Sequence, residues 1–162
     1  MSKKKPIFIV DAMLGKLAKK LRLLGYDSFY SSNIEDDNLL QIAKNENRII
    51  ISKDEQLIKK AKKFQIENIQ ITKNEEIEQL IQINEKIDLG KCIIQSNNTR
   101  CPVCNGVLIP TEKNTILEHV PLGVFKNMNN FWVCNKCKKI YWEGTHIKNL
   151  QKFNAELNAR LS

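Results

Sequence analysis

The sequence has no long apolar run. Its start, "MSKKKPIFIV", carries only the stretch from Ile7 to Val10 before Asp11 interrupts it. A secretory h-region needs about 7–15 apolar residues and a membrane span about 20. Nothing in the chain approaches either, so it reads as an intracellular, cytoplasmic protein with no membrane partner. Arginine is scarce too: Arg22, Arg48, Arg100 and Arg160 are all there is among 26 basic residues. The rest are lysines, point charges without the planar fork that reads a base edge. The formal charge of +8 therefore points to a polyanion's backbone rather than to base-specific recognition. A lysine- and isoleucine-rich coding bias would leave the same charge on solvated helix faces. No internal repeat is present.

What is there suffices to fold: 162 residues, 42% of them hydrophobic and 27% charged, enough for one ordinary domain or two small ones. The first ninety or so alternate strand and helix. "PIFIV" (6–10) is a strand ending at Asp11. Leu14, Leu17, Ala18, Leu21 and Leu24 then form one helical stripe with lysines opposite, and Gly25 closes it. "DSFYS" is a short second strand. Asp36 is placed to cap a helix carrying Leu39, Leu40, Ile42 and Ala43. "RIIIS" is a third strand, continuously apolar as a strand buried on both faces is. A helix follows to about Phe64. "IENIQIT" (66–72) is a fourth strand, and Asn74 is placed to cap a helix carrying Ile77, Leu80 and Ile81. This alternation implies βαβ units around a parallel sheet. The expected organisation is one unit over 1–92, a connector within "DLGKCIIQSNNT", and a second unit over 98–162. The second ends in a closing helix with Ile147, Leu150, Phe153 and Leu157 inward.

Two motifs carry chemistry. The first is "CPVC" and "CNKC", Cys101, Cys104, Cys134 and Cys137. Each pair makes a tight turn whose sulfurs face one point, and two such turns supply four thiolates in a tetrahedron, a structural Zn²⁺ site. Disulfides need an oxidising compartment that nothing supports, and a redox CxxC should open a helix rather than a glycine turn. "FWVC" and "IYW" read as hairpin strands of a zinc ribbon, with an excursion around "EHVPLGVFKNMNN". His119 and His146 are read as structural or surface residues, and Cys92 as a small apolar one. Arg100, Lys136, Lys138 and Lys139 sit beside the thiolates, as counter-charges or phosphate contacts.

The second motif is distributed. Asp11 ends the first strand, Asp54 ends the third, and Asp36 lies before the helix between strands two and three. In an open parallel sheet, ligands bind beyond the carboxyl ends of the strands. If the first and third strands are neighbours, these carboxylates converge, and hard oxygen donors select Mg²⁺ or Mn²⁺. Helix capping accounts for Asp36 and Asp54 equally well.

These stretches, "FIVDAMLGKLAKKLRLLGYD" (8–27), "DDNLLQIAKNENRIIISKD" (36–54), "RCPVCNGVL" and "FWVCNKCKKIYWEGTH", resemble the Mut-seven C-terminal RNase-type domain family, in the family's order, over about residues 7 to 150. The resemblance implies an α/β fold: a PIN-like parallel sheet flanked by helices, followed by a small C-terminal zinc ribbon. It implies RNA cleavage with divalent metal. The family's aspartates fall on Asp11, Asp36 and Asp54 and its zinc ligands on the four cysteines, with Arg22 and Gly25 in its first helix. PIN nucleases commonly use a fourth acid, for which Glu35, Asp37 and Glu55 are candidates. Two functions stand open. One is a metal-dependent ribonuclease, with Asp11, Asp36 and Asp54 holding Mg²⁺ or Mn²⁺. In it the ribbon positions RNA, and Trp132, Tyr141 and Trp142 are either stacking faces or ribbon core. The other is a non-catalytic RNA- or ribosome-binding adaptor in which the aspartates are caps.

Overall fold

The computed structural model describes residues 4–90 and 98–161, except the side chains of 145–147. The expectations for Cys92, His146 and Ile147 lie outside what is described. Four short strands, β1 (Phe8–Val10), β2 (Ser28–Tyr30), β3 (Ile49–Ser52) and β4 (Asn68–Gln70), form a parallel sheet in the order β2-β1-β3-β4. The central strands are the most apolar: every residue of β1 and β3 is buried. Their alternation divides the core in two. Phe8, Val10, Ile49 and Ile51 join one cluster, and Ile9 and Ile50 the other. Fully burying each such isoleucine contributes roughly 1.5–3 kcal/mol, so the pair β1–β3 is the backbone of the unit.

Helices cover both faces. The first cluster holds the apolar stripes of α1 (Gly15–Leu23) and α4 (Glu76–Lys86), and the second those of α2 (Asp36–Glu46) and α3 (Glu55–Lys63). The chain steps from β1 outward to β2, then crosses back to β3 on the other side of β1. That reversal creates a crevice between the carboxyl ends of β1 and β3, the place where open α/β sheets bind ligands. α1 stops as its sequence dictates. Gly25, at φ +91°, passes the chain into the left-handed region, and the amides of Gly25 and Tyr26 return to the carbonyls of Arg22 and Leu21.

Two caps differ from expectation. Asp36 is not the N-cap of α2; Glu35 is, without a side-chain hydrogen bond, and Asp36 is the first helical residue. There its charge favours the positive end of the helix dipole while its carboxylate stays unspent on capping. Nor does Asn74 cap α4. Glu75 holds that position, and the Asn74 side chain accepts from Lys53 Nζ at 2.8 Å instead.

The C-terminal part is a three-stranded antiparallel sheet, β5 (Leu108–Thr111), β6 (Phe131–Cys134) and β7 (Ile140–Trp142), in that order. The excursion between β5 and β6 is a 3₁₀ stretch, Lys113–His119, and a short helix, α5 (Leu122–Asn127). The last helix, α6 (Thr145–Leu161), leaves the ribbon sheet and returns to the first unit. Leu157 is fully buried in the α1–α4 cluster and Phe153 packs on it.

Candidate functional sites: a carboxylate crevice and a cysteine cluster

Asp11 extends β1 by one rung. Its amide donates to the carbonyl of Ile51 at 2.9 Å, which fixes it against β3. Its carboxylate is buried and engaged on both oxygens. Oδ1 accepts from the amide of Ala12 at 2.7 Å, starting the 3₁₀ turn Ala12–Leu14, and Oδ2 accepts from Ser52 Oγ at 2.7 Å. Ser52 Oγ in turn accepts from the amide of Asp54 at 2.9 Å. Asp54 caps α3 with one oxygen, Oδ1, which accepts from the amides of Gln56 and Leu57. One serine hydroxyl therefore spans the crevice from Asp11 to the Asp54 backbone. Ser52 was missed from the sequence; its only signal is a buried hydroxyl at the end of an otherwise aliphatic strand.

Asp36 reaches the same crevice from α2. Partial burial raises its pKa from the ordinary aspartate value, and the charges of Asp54 and Asp11 raise it further, while Lys60 opposes them. Asp36 thus feels the charge of both other carboxylates. The three carboxylates do not form a tight threesome. Among the described residues, the cysteines alone make a group of three or more His, Cys, Asp or Glu ligand atoms lying within 4.8 Å of one another. Each carboxylate oxygen has two lone-pair sites, so the hydrogen bonds at Asp11 and Asp54 leave acceptor capacity.

The cysteine cluster is compact. Sγ–Sγ distances are 3.4 Å for Cys104–Cys134 and 3.8 Å for Cys101–Cys137. Sulfurs about 2.3 Å from a central Zn²⁺ in a tetrahedron stand about 3.8 Å apart, so the donor set and its size fit that ion. The two turns are built alike. The amides of Asn105 and Lys138 return to the carbonyls of Cys101 and Cys134, and both residues have positive φ, +69° and +67°. Gly106 is required by space: a Cβ there would come within 2.6 Å of Cys134 Sγ. Burial raises the Cys134 thiol, but the amides of Cys137 and Lys136 together with the side chains of Cys104 and Cys137 outweigh it and bring the group to about 7. Burial pushes Cys104 up to about 12, with the neighbouring thiols adding to the rise. Cys134 is thus held closer to its thiolate form than Cys104. Tyr141 supplies a fifth group. Burial and the nearby thiolates raise its hydroxyl, which stays protonated and donates to Cys101 Sγ at 2.9 Å.

The ribbon is joined to the first unit through Arg22, which is 4% exposed. Its Nε donates to the Ser28 carbonyl at 2.9 Å, and its Nη1 to the carbonyls of Pro102 and Val103 inside the first cysteine turn. Asn105 completes the join. It accepts from the Ser28 amide and donates to Asp27 Oδ1 at 2.7 Å, and Asp27 is also paired with Arg48 at 2.8 Å. Asp27 and Asn105 carried no functional signal in the sequence.

A four-stranded parallel sheet with helices on both faces, followed by a three-stranded antiparallel sheet beside a four-cysteine cluster, defines an α/β protein with an appended zinc-ribbon-type module. The model of the Mut7-C RNAse domain family matches residues 6–154. The chain belongs to that family. No curated protein and no solved structure matches it. No described helix is long and apolar enough to cross a membrane.

Proposed function

We propose that the protein is a divalent-metal-dependent ribonuclease acting at the crevice between β1 and β3, with a zinc-stabilised ribbon beside it. The observation that carries the reading is the shared electrostatics of the crevice. Asp36 is held above its ordinary pKa partly by Asp54 and Asp11, an arrangement that leaves excess negative charge where a cation would relieve it. Membership of an RNase domain family supports RNA as the substrate class, and the charge of +8 suits it. Asp11, Asp36 and Asp54 would hold Mg²⁺ or Mn²⁺, as their hard oxygen donors favour. Bound there, the ion supplies Lewis-acid polarisation of a phosphoryl oxygen and a lowered pKa for a coordinated water. The chain's own part is orientation. Ser52 Oγ fixes Asp11 by donating to it, and the α3 amides fix Asp54, so neither carboxylate must be ordered when substrate arrives. Zinc in the four-cysteine cluster would be closed and structural. Four thiolates and one Zn²⁺ take the formal charge from +8 to about +6, still basic.

The adaptor reading draws on the structural duties of Asp11 and Asp54. It is separated by one comparison: cleavage of single-stranded RNA with Mg²⁺ or Mn²⁺ by the wild type beside Asp11→Asn. Changing groups that merely orient a ligand costs about 10–100-fold, so loss of a ligand should exceed that. Equal cleavage by both proteins would overturn the site, and cleavage by neither would favour the adaptor.

A further inference from the structure

We propose that the groove between α1 and the ribbon's edge strand β7 is a binding track for single-stranded RNA that leads to the carboxylate crevice. The choice of RNA as occupant rests on the ribonuclease reading. The groove measures about 940 Å³, at the large end of the roughly 300–1,000 Å³ of ligand clefts. Its α1 wall carries Lys16, Lys19 and Lys20, spaced so that they share one helical face opposite the buried stripe. Lys139 faces them from the ribbon, and the acidic minority is Glu76 and Glu143. Lys20 Nζ lies 4.4 Å from the Phe153 ring centroid and Lys139 Nζ 5.6 Å from that of Tyr141, which holds both amines at the groove wall.

The other wall is aromatic. Both tryptophans of the chain, Trp132 and Trp142, line the groove with Tyr141. The ribbon core accounts for two of them: Trp132 is buried with the cysteines and Tyr141 packs on that cluster. Trp142 is half-buried and belongs to none of the three buried clusters. An amine-lined wall opposite exposed ring surface is what single strands need, since their phosphates take the cations and their unpaired bases take the π-faces. A duplex is read by shape across its surface and has no use for a cleft of this size. The direction follows from the helix. Lys16 lies in the first turn of α1, one 3₁₀ turn beyond Asp11, and Leu23 at the other end meets the ribbon side of the groove. A strand lying along α1 would thus run from the ribbon towards the crevice.

The test is binding of a fluorescent single-stranded RNA, without Mg²⁺ or Mn²⁺ and without chelator, across a salt series. Replacing Lys16, Lys19 and Lys20 together by Gln should weaken binding at least about tenfold. It should also flatten the salt dependence by about two units of slope, at ~0.7 per phosphate contact on single strands. Trp142→Ala should weaken binding roughly tenfold with the salt slope unchanged, as loss of stacking does. Lys59, Lys62 and Lys63 on α3 replaced together by Gln remove the same charge from the other helical layer and should change little. An equal loss in that control, or equal affinity for a duplex of the same length, overturns the track. Cleavage is measured separately with Mn²⁺. If the groove variants lose binding but no protein cleaves, the track stands and the nuclease reading falls. If the wild type cleaves in an Asp11-dependent way and the lysine triple cleaves with unchanged kcat/KM, the track falls and the nuclease stands.

Discussion

The two candidate metal sites are assembled by opposite means. Each cysteine turn is made locally, from residues three apart, and the two turns meet because β5 and β6 pair. The carboxylates come from positions 11, 36 and 54 and meet only because β1 and β3 are neighbours in the sheet. Their surroundings differ as well. The crevice rests on two large apolar clusters, whereas the ribbon cluster has four buried members, two of them Cys101 and Cys134. A core that small does not offset the entropy of ordering its chain, roughly 1–2 kcal/mol per residue for backbone alone. The ribbon should therefore depend on metal for its fold, and the crevice on its fold for metal.

The largest expected effect tests that asymmetry. Structural zinc contributes apparent binding energies of about 10–16 kcal/mol, so a strong chelator, or Cys134→Ser, should unfold the ribbon. Both tryptophans lie in its strands, on β6 and β7, so tryptophan emission reports the ribbon alone. The expected result is red-shifted emission with most of the helical circular dichroism kept. Loss of both signals together would mean that the first unit cannot hold its fold without the metal-loaded ribbon and would break the comparison.

Next comes the joint. Arg22 is buried, and Arg22→Met keeps its bulk while leaving the carbonyls of Ser28, Pro102 and Val103 without their donor. Stranded acceptors at this depth should cost about 3 kcal/mol. Denaturant unfolding should also change from coincident to separate transitions for tryptophan emission and helical signal. Coincident transitions in the variant would show that α6, not Arg22, ties the regions together.

Acid should loosen the same joint. Burial raises the Asp27 carboxyl, but hydrogen bonds from Arg48 and Asn105 outweigh it, so its folded pKa lies below the ordinary aspartate value. A depressed carboxylate contributes stability that is present above the unfolded pKa and lost as pH falls through the folded one. Asp27→Asn should cost about 1 kcal/mol at neutral pH and lose less on acidification. The difference between the two thermal-stability profiles from neutral pH to below the ordinary aspartate pKa isolates Asp27 from acid release of any metal. Parallel profiles would remove it from the joint.

The two means of assembly also decide what the sequence could reveal. The CxxC pairs were legible because the spacing is itself the geometry. The strands were legible because aliphatic runs such as Ile49 to Ile51 admit few other readings, and Gly25 marked the end of α1. Caps were less so. Asp36 and Asn74 carry capping side chains, yet one position shift left the caps to Glu35 and Glu75, because side chains of these types also have tertiary partners to choose from. The third ribbon strand, β5, was hidden by Pro110, which an edge strand tolerates. The contacts of Ser52 with Asp11, and of Asp27 with Arg48 and Asn105, could not be found at all: they exist only between segments far apart in sequence.

The smallest effect on stability is expected at Asp54, and it sharpens the comparison most. As a cap, Asp54 offers Oδ1 to two amides of α3. Asparagine offers the same atom, so Asp54→Asn should change the cap by only a few tenths of a kcal/mol. As a member of the crevice, Asp54 raises the pKa of Asp36, second only to burial in that effect. A folded-state aspartate pKa above its unfolded value means that, in metal-free protein, stability falls as pH rises through that raised pKa. Removing the Asp54 charge lets Asp36 return towards its ordinary value. The variant should therefore equal or slightly exceed the wild type in metal-free stability at neutral pH, and its stability should decline less as pH rises from the ordinary aspartate pKa through the raised one. Added Mg²⁺ or Mn²⁺ should stabilise the wild type and not the variant, and metal-dependent RNA cleavage should be lost with it. A metal-driven rise in melting temperature equal in both proteins, with cleavage retained, would leave Asp54 a helix cap and nothing more.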